Sequence, residues 1–189
     1  MEWVQRLDCQ MMTWIQEHIP HGGIEKWMIG ISWLGNGGMI WILLGLALLF
    51  LGWKKRKSLA WGLAVLLSLG SNAVVCNLLL KPLAARMRPY DVLGYDILIP
   101  PLSDYSFPSG HTSASFAAAT AIYAIHPGWG KAAYVFAALM GLSRLYLGVH
   151  FVTDVVVGAL IGVVMAKVTL YVMKKVLKNE FKYNFKKRD

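Results

Sequence analysis

Long apolar runs separated by short polar stretches are the feature that most restricts the fold of this chain. Hydrophobic residues make up 57% of its 189 residues, and the mean hydropathy is +0.50. This composition is too apolar for an ordinary soluble domain and leaves little sequence for a second one. Several of the runs approach the length that a helix needs to cross a bilayer. We therefore expect residues 1–189 to form one all-α integral membrane domain, a helical bundle.

The apolar runs predict about five membrane-spanning helices, and residues 10–34 could supply a sixth. The five are expected at about 37–53, 59–80, 112–126, 131–147 and 151–173. Residues 3–19 have apolar side chains at helical spacing but carry several charges, which is typical of an amphipathic helix lying in the membrane interface. The chain thus divides into an interfacial segment (1–35), a helical core (37–173) and a basic tail (174–189). The GxxxG spacing of Gly158 and Gly162 predicts close helix packing within the bundle, with a dimer interface as the alternative.

The positions of the charges predict how the chain is oriented in the membrane. The net charge is +9, but the basic residues flank apolar runs, which indicates cytoplasmic loops rather than a nucleic-acid surface. With five spans and Lys54–Lys57 inside, 13 of the 19 Lys and Arg residues and two of the ten acidic residues face the cytoplasm. We expect a multi-pass cell-membrane protein with its C-terminus inside and an external N-terminus without a cleavable signal peptide. The oligomeric state stays open.

Three separated polar stretches fall on the external face of this topology. They are Lys81-x6-Arg88-Pro89, Pro108-Ser109-Gly110-His111, and the twelve residues from Ser143 to Asp154. The third stretch places Arg144, His150 and Asp154 at the mouth of an apolar segment, where charges are costly and often mark a reacting site. Because His150 and Asp154 are four residues apart, a helix would bring their side chains onto one face. We expect the three stretches to converge.

The residue types in these stretches suit a phosphate group. Lys81, Arg88 and Arg144 could neutralise an oxyanion, and arginine forks match phosphate oxygens. The backbone N–H groups around Ser109 and Gly110, where a helix begins, would add donors. One histidine could attack phosphorus while the other protonates the leaving oxygen. No carboxylate pair or Cys/His cluster is available for a metal, so neither a metal nor another cofactor is expected.

Each stretch also has a simpler interpretation when it is taken alone. Lys81 and Arg88 could be interfacial anchors, and the region around His150 could be a helix cap with an arginine reaching to water. Arg86 lies between the first-stretch cations and could touch a substrate headgroup or only lipid phosphates. The remaining histidines, His18, His21 and His126, are expected to be solvated loop or interfacial residues. Asp91, Asp96 and Asp104 could tune the mouth of the pocket, but the solubility of the loop explains them adequately.

Together the three stretches resemble the three motifs of the type 2 phosphatidic acid phosphatase family. This family includes membrane lipid phosphatases, soluble acid phosphatases and vanadium haloperoxidases, and the resemblance covers about residues 37–173. It implies that His150 is the nucleophile, that Asp154 orients and charges it, and that His111 is the general acid. It further implies phosphoryl-binding roles for the following residues: Lys81, Arg88, Arg144, Ser109 and Gly110.

The resemblance predicts a metal-independent phosphatase that acts on a membrane lipid at the external face through a phosphohistidine. We expect undecaprenyl diphosphate as the substrate, with phosphatidylglycerophosphate or phosphatidic acid as alternatives. A lipid phosphotransferase could use the same phosphohistidine, and a non-catalytic lipid phosphate carrier would need no nucleophile. Nucleic acid is not an expected partner.

Overall fold

The computed structural model describes residues 2–19, 22–52 and 56–176, and the regular elements within those ranges are all helical. In chain order they are α1 (Glu2–His18), α2 (Glu25–Leu34), a 3-10 turn (Asn36–Gly38), α3 (Met39–Gly52), α4 (Arg56–Ala73), a π-helical turn (Val74–Leu80), α5 (Lys81–Ala84), α6 (Pro89–Leu93), α7 (Gly110–Ile125), α8 (Pro127–Tyr146) and α9 (Val152–Val176). The predicted all-α class agrees with this architecture.

Helix α7 is the centre of the bundle, with α4, α8 and α9 packed around it. Its middle consists of small buried side chains, Ala117–Ala119 and Ala121, which let the neighbouring helices approach. Trp41 of α3 and Val65 of α4 complete this core. The arrangement fixes α7 in the bundle, so the polar residues at its first turn have a defined position.

Helix α9 packs directly against α7 through two glycines. A Cβ atom on Gly162 would lie 2.2 Å from the carbonyl oxygen of Ser113, and one on Gly158 would lie 2.9 Å from that of Ser109. Real Cβ atoms do not come this close to backbone, so only glycine fits at these positions. The prediction that this GxxxG pair packs within the bundle is confirmed.

The described helices lie where the apolar runs predict them. Their lengths alone do not give the number of membrane spans. Within the part of the chain that the structure describes, two segments are long and apolar enough to cross a membrane, Leu59–Leu93 and Val152–Val176. A third is formed if the pair Glu25–Leu34 and Asn36–Leu51, bent by 46°, counts as one span. Helix α7 has 16 residues, about 24 Å at 1.5 Å per residue, which is short of a hydrocarbon core. Five spans therefore stay a prediction.

The first helix occurs where the sequence predicts it, but its buried side includes a charged side chain as well as apolar ones. Trp3 and Trp14 are 67% and 57% exposed, whereas Asp8 is 1% exposed and points inward beside buried Met12. Its position in the membrane interface stays a prediction. Predictions for His21, for Lys54 and Lys55, and for most of the basic tail (from residue 177) lie outside the described residues.

The stretch between Lys81 and Ser109 is expected to be irregular, and the structure adds two short helices to it. Helix α5 ends at Ala84 and is followed by Ala85, which has a left-handed φ of 44°. The chain then runs through Arg88 into α6, which ends at Gly94 with φ 71°. This path brings Arg86 and Arg88 to the end of the bundle at which α7 and α9 begin.

Candidate active site

The three polar stretches predicted to converge do so at one end of the bundle. His111, on the first turn of α7, lies within electrostatic range of Lys81, Arg88, Arg144 and His150. Four of these side chains are 7% exposed or less, and His111 is half-buried. The structure therefore gathers three cations and two histidines in one largely desolvated place, as the topology predicted.

His150 lies in the tight connection from α8 to α9, next to the carboxylate expected to orient it. Gly148, with φ +69°, turns the chain after α8, and the hydroxyl of Tyr95 donates to its carbonyl at 2.8 Å. His150 Nδ1 then faces Asp154 Oδ2 at 3.6 Å. This distance is longer than a hydrogen bond, so a small rotation of the imidazole would be needed to form one.

The Asp154 carboxylate is held from several sides. Its Oδ2 accepts hydrogen bonds from Ser106 Oγ at 2.5 Å and from the N–H of Phe151 at 2.9 Å. Its Oδ1 accepts one from Arg86 Nη1 at 2.6 Å. A fully buried carboxylate with these donors keeps its negative charge beside His150.

The other nitrogen of His150 points towards a guanidinium. Nε2 lies 3.4 Å from Nη1 of Arg88, which is itself anchored by a 2.6 Å hydrogen bond to the Val149 carbonyl. Burial is the main cause that lowers the pKa of His150 to about 3; Asp154 opposes this shift, and the charges of Arg88 and Arg144 contribute to it. The imidazole is thus neutral at physiological pH, with a lone pair available on the side of the cations.

Arg144 contributes a cation that is only partly satisfied by protein. Its Nη1 donates to Ser32 Oγ on α2. Its Nε and Nη2 are buried, and they have no hydrogen-bond partner among the residues that the structure describes. Unpaired donors of a charged group that is 1% exposed are costly, so this guanidinium is poised for an additional acceptor.

Lys81 and Arg88 share one carboxylate, that of Asp104. Lys81 Nζ forms a close ion pair with Asp104 Oδ2, and Arg88 Nη2 donates to Asp104 Oδ1 at 2.6 Å. Partial burial raises the pKa of Asp104, but the two cations outweigh this effect and lower it to about 2. These two predicted phosphate-binding cations are therefore paired with a carboxylate of the protein itself.

The start of α7 supplies fewer free backbone donors than the sequence suggests. The N–H of Ser109 donates to the carbonyl of Asp154 at 3.1 Å, so this amide faces α9. The N–H groups of Gly110 and His111, in the first turn of α7, have no acceptor earlier in that helix. They are the donors that remain for an anion at the helix start.

His111 is positioned by two features of the α2–α3 connection. Its Nε2 lies 3.0 Å from Oδ1 of Asn36, within hydrogen-bond distance. A Cβ atom on Gly35 would lie 2.8 Å from the imidazole carbon Cδ2 of His111, so the absence of a side chain at Gly35 leaves room for the ring. The α2–α3 connection, for which the sequence predicts no role in the site, thus contacts the candidate general acid.

A cavity of about 530 Å³ opens beside these residues. Its polar end is formed by Lys81, Asp104 and His111, and its apolar wall includes Ile42 and Leu66. Other lining residues are small or amide side chains of the α2–α3 turn, α4 and the π-helical turn: Gly35, Gly37, Gly38, Gly70, Asn72, Ala73 and Asn77. A molecule with an anionic head and an apolar tail fits such a cavity.

Sequence reasoning missed several contributors to the site. The sequence predicts Asp104 as a loop residue and Arg86 as a contact to a headgroup or to lipid phosphates, and neither prediction includes the ion pairs found here. The sequence does not single out four other residues: Asp8, Ser32, Asn36 and Ser106. Ser106 is fully buried and lies just before the second motif. Its closeness to that motif in the sequence is the one signal that could have indicated its part in the site. The others come from α1, from the α2–α3 region and from the middle of a loop, and their sequence positions do not indicate the contact.

Two curated proteins with known names are similar to this chain in sequence. An undecaprenyl-diphosphatase of Sulfolobus acidocaldarius is 34% identical over 92 residues, 48% of this chain and 45% of that protein. The chain thus spans less than half of that relative. Phosphatidylglycerophosphatase B of Bacillus subtilis is 34% identical over 158 residues, 75% of this chain and 71% of that protein.

Two solved structures share the fold. The crystal structure of a transmembrane PAP2-type phosphatidylglycerolphosphate phosphatase from B. subtilis has a TM-score of 0.73 at 28% identity, covering 93% of this chain and 89% of that one. That of Aquifex aeolicus LpxE has a TM-score of 0.69 at 27% identity, covering 86% and 93%. Residues 61–178 match the PAP2 superfamily. The chain is a membrane protein that belongs to this superfamily.

Proposed function

We propose that this protein is a metal-independent phosphatase that removes a phosphoryl group from a membrane lipid. The observation that carries the proposal is the partly satisfied Arg144: its two orphaned donors lie in the electrostatic neighbourhood of His111 and Arg88. An oxyanion is the acceptor that would satisfy a guanidinium there. The relatives named as phosphatases support the same chemistry.

The proposed reaction uses the two histidines in turn. The lone pair of His150 Nε2 forms a bond to phosphorus, and the P–O bond to the leaving group breaks as His111 gives its proton to the leaving oxygen. A water molecule then attacks phosphorus and passes a proton to His111 while the N–P bond breaks. Inorganic phosphate leaves and His150 is neutral again. The other product is the lipid alcohol when the substrate is a monophosphate, and the lipid monophosphate when it is a diphosphate.

Asp154 and the cations support charge changes along this path. Asp154 stabilises the positive charge that develops on the His150 ring, in the manner of an orienting carboxylate beside a histidine. Lys81, Arg88 and Arg144 take up the charge of the equatorial phosphoryl oxygens. Because His150 is 1% exposed, we infer that the phosphoryl group reaches Nε2 after the Asp104 carboxylate moves off Arg88.

The cavity supports a lipid rather than a small soluble phosphate. Its polar end holds Lys81 and His111, and its wall continues through Leu66 and Leu69 between α3 and α4. We propose that the lipid tail leaves the site along this wall and that the site opens at the external membrane face, with the C-terminus in the cytoplasm. The positions of the basic residues support this orientation.

The substrate we propose is undecaprenyl diphosphate, and phosphatidylglycerophosphate is the second candidate. Two observations favour phosphatidylglycerophosphate: the long match to phosphatidylglycerophosphatase B and the fold shared with a phosphatase of that type. The two differ chemically, because the first is an acid anhydride and the second a phosphoric monoester.

One assay tests the function and separates the alternatives. Purified protein in detergent with a chelator is given undecaprenyl diphosphate, phosphatidylglycerophosphate or phosphatidic acid, and released phosphate is measured. We expect release from at least one of them. A folded protein that binds these lipids and releases nothing would be a carrier, and loss of the lipid phosphate without free phosphate would indicate transfer to an acceptor.

A further inference from the structure

Arg86 joins the N-terminal helix to the candidate catalytic carboxylate. One side of its guanidinium donates to Gln5 Oε1 at 2.6 Å and to Asp8 Oδ2 at 2.7 Å, both on α1. The other side donates to Thr153 Oγ1 at 2.8 Å and to Asp154 Oδ1 at 2.6 Å, both on α9. A single arginine therefore bridges two carboxylates that are 146 positions apart, from residue 8 to residue 154.

Asp8 makes a second connection to the same helix start. Its Oδ1 accepts a hydrogen bond from the Thr153 N–H at 3.1 Å, and its Oδ2 accepts one from the Thr153 hydroxyl. Thr153 immediately precedes Asp154, in the first turn of α9, where a negative charge is favourable. Asp8 thus fixes the backbone that carries Asp154 as well as the arginine that contacts its side chain.

The burial of these groups indicates that they act as one set. Asp8 is 1% exposed and Asp154 is fully buried. A buried carboxylate is tolerated only when it is paired and hydrogen-bonded, and here both share Arg86. The stacking of Arg86 over the Phe151 ring, 4.1 Å from its centroid, fixes the guanidinium further.

The charge balance gives Asp8 a role beyond packing. An Arg86 paired with Asp154 alone would neutralise the carboxylate, which would then stabilise a charged His150 less well. With Asp8 on the opposite side of the guanidinium, the three groups keep a net charge of about −1, by the ordinary ionisation of these side chains. The Asp154 charge therefore stays available to His150.

We propose that Asp8 and Arg86 are positioning residues of the active site, and that α1 is in this way a part of the catalytic machinery. They act through Asp154 and do not touch the substrate. The inference rests on the proposed function, because it assigns their effect to the charge and orientation of His150 during phosphoryl transfer.

Four variants test this inference: Asp8→Asn, Arg86→Gln, Arg86→Lys and the double variant Asp8→Asn/Arg86→Gln. The matched control is Glu17→Gln, which removes an exposed carboxylate from the same helix. Hydrolysis of undecaprenyl diphosphate, or of phosphatidylglycerophosphate if wild type cleaves only that lipid, is measured in detergent on monodisperse protein of verified melting temperature. We expect Asp8→Asn to lower kcat at least tenfold with KM within about twofold of wild type, since the cations that bind phosphate are untouched.

The arginine variants separate positioning from general stability. Arg86→Gln is expected to lower kcat more than Asp8→Asn, and Arg86→Lys to recover part of that loss. Because Asp8 acts partly through Arg86, the double variant should fall well short of the product of the two single losses. Single-variant kcat values equal to that of Glu17→Gln, or a purely multiplicative double variant, would overturn the inference.

A second measurement does not depend on turnover. Amide hydrogen exchange of the peptide containing residues 151–154 should be faster in Asp8→Ala than in wild type and Glu17→Ala, because the Thr153 N–H loses its side-chain acceptor. Unchanged exchange would overturn the link between α1 and Asp154. If wild type released no phosphate from any lipid, the proposed function would fail, while faster exchange would still support the structural link.

Discussion

Asp104 Oδ1 accepts a 2.6 Å hydrogen bond from Nη2 of Arg88, the same arginine whose Nη1 lies 3.4 Å from His150 Nε2. The Asp104 side chain is 54% exposed, whereas that of Arg88 is almost fully buried. A carboxylate that is more than half exposed therefore pairs with the buried cation that is proposed to bind the phosphoryl group, and a lipid phosphate would compete with it.

Replacing Asp104 should consequently strengthen anion binding. We expect Asp104→Asn to tighten the binding of inorganic phosphate about three- to fivefold, since pairs that include an exposed partner are worth at most about 1 kcal/mol. Competition by phosphate against lipid hydrolysis measures this affinity. Asp96→Asn, which removes another exposed carboxylate of the same loop, is the control. Weaker phosphate binding in Asp104→Asn would instead indicate that Asp104 holds Lys81 and Arg88 in place.

The same ion pairs predict a defined pH dependence of stability. The pKa of Asp104 falls from its ordinary value of 3.8 to about 2, although partial burial alone would raise it. A folded-state pKa below the unfolded value means that the carboxylate stabilises the fold above about pH 4, and that this contribution is lost between pH 4 and pH 2. The melting temperature of wild type minus that of Asp104→Asn should be positive and constant from pH 5 to 7, then shrink in acid. A difference that keeps changing between pH 5 and 7 would contradict the assignment.

Loss of the proposed nucleophile should separate catalysis from binding. His150→Ala is expected to lower kcat by at least about 1000-fold, because removal of the attacking nitrogen leaves no covalent path. Phosphate should still bind, since the three cations remain.

Asp154→Asn should slow the reaction less than His150→Ala, because orientation and charge support are lost but the attacking nitrogen stays. The control is His126→Ala, an exposed histidine in the α7–α8 connection. Near-normal turnover of His150→Ala would show that another residue is the nucleophile.

Because α7 and α9 pack closely, a glycine-to-alanine substitution at their contact should destabilise the protein more than one at an exposed position. Gly162→Ala should destabilise the protein by about 1–3 kcal/mol, the usual cost of overpacking, because its Cβ would meet the backbone of Ser113 and Ala117. Gly30→Ala is the control, since a Cβ on this exposed α2 position would have nothing within 4 Å. Thermal unfolding in detergent measures both. Equal melting temperatures would mean that the two helices can separate without cost.

The sequence predicts the helices and the motif residues because both depend on local patterns. Apolar runs locate α3, α4, α7, α8 and α9 within a few residues, and motif spacing singles out the polar side chains that converge. The contacts of loops and of α1 follow from tertiary placement instead. An amphipathic pattern could not indicate that Asp8 turns inward to Arg86, and a polar loop composition could not indicate that Asp104 pairs with Lys81. The hydrogen bond of the Ser109 N–H could not be predicted either, because its acceptor lies on a different helix.

The hydrogen bond from the Ser109 N–H to the Asp154 carbonyl, together with the contact of Gly158 on Ser109, makes the starts of α7 and α9 one rigid block. Neither end can shift without the other. Opening of the site to a lipid must therefore take place on the opposite wall, where Asp104 and the α2–α3 turn face His111. The starts of α7 and α9 thus form the fixed side of the proposed site, next to His150, and changes in lipid preference should accumulate at Asp104 and in the α2–α3 turn.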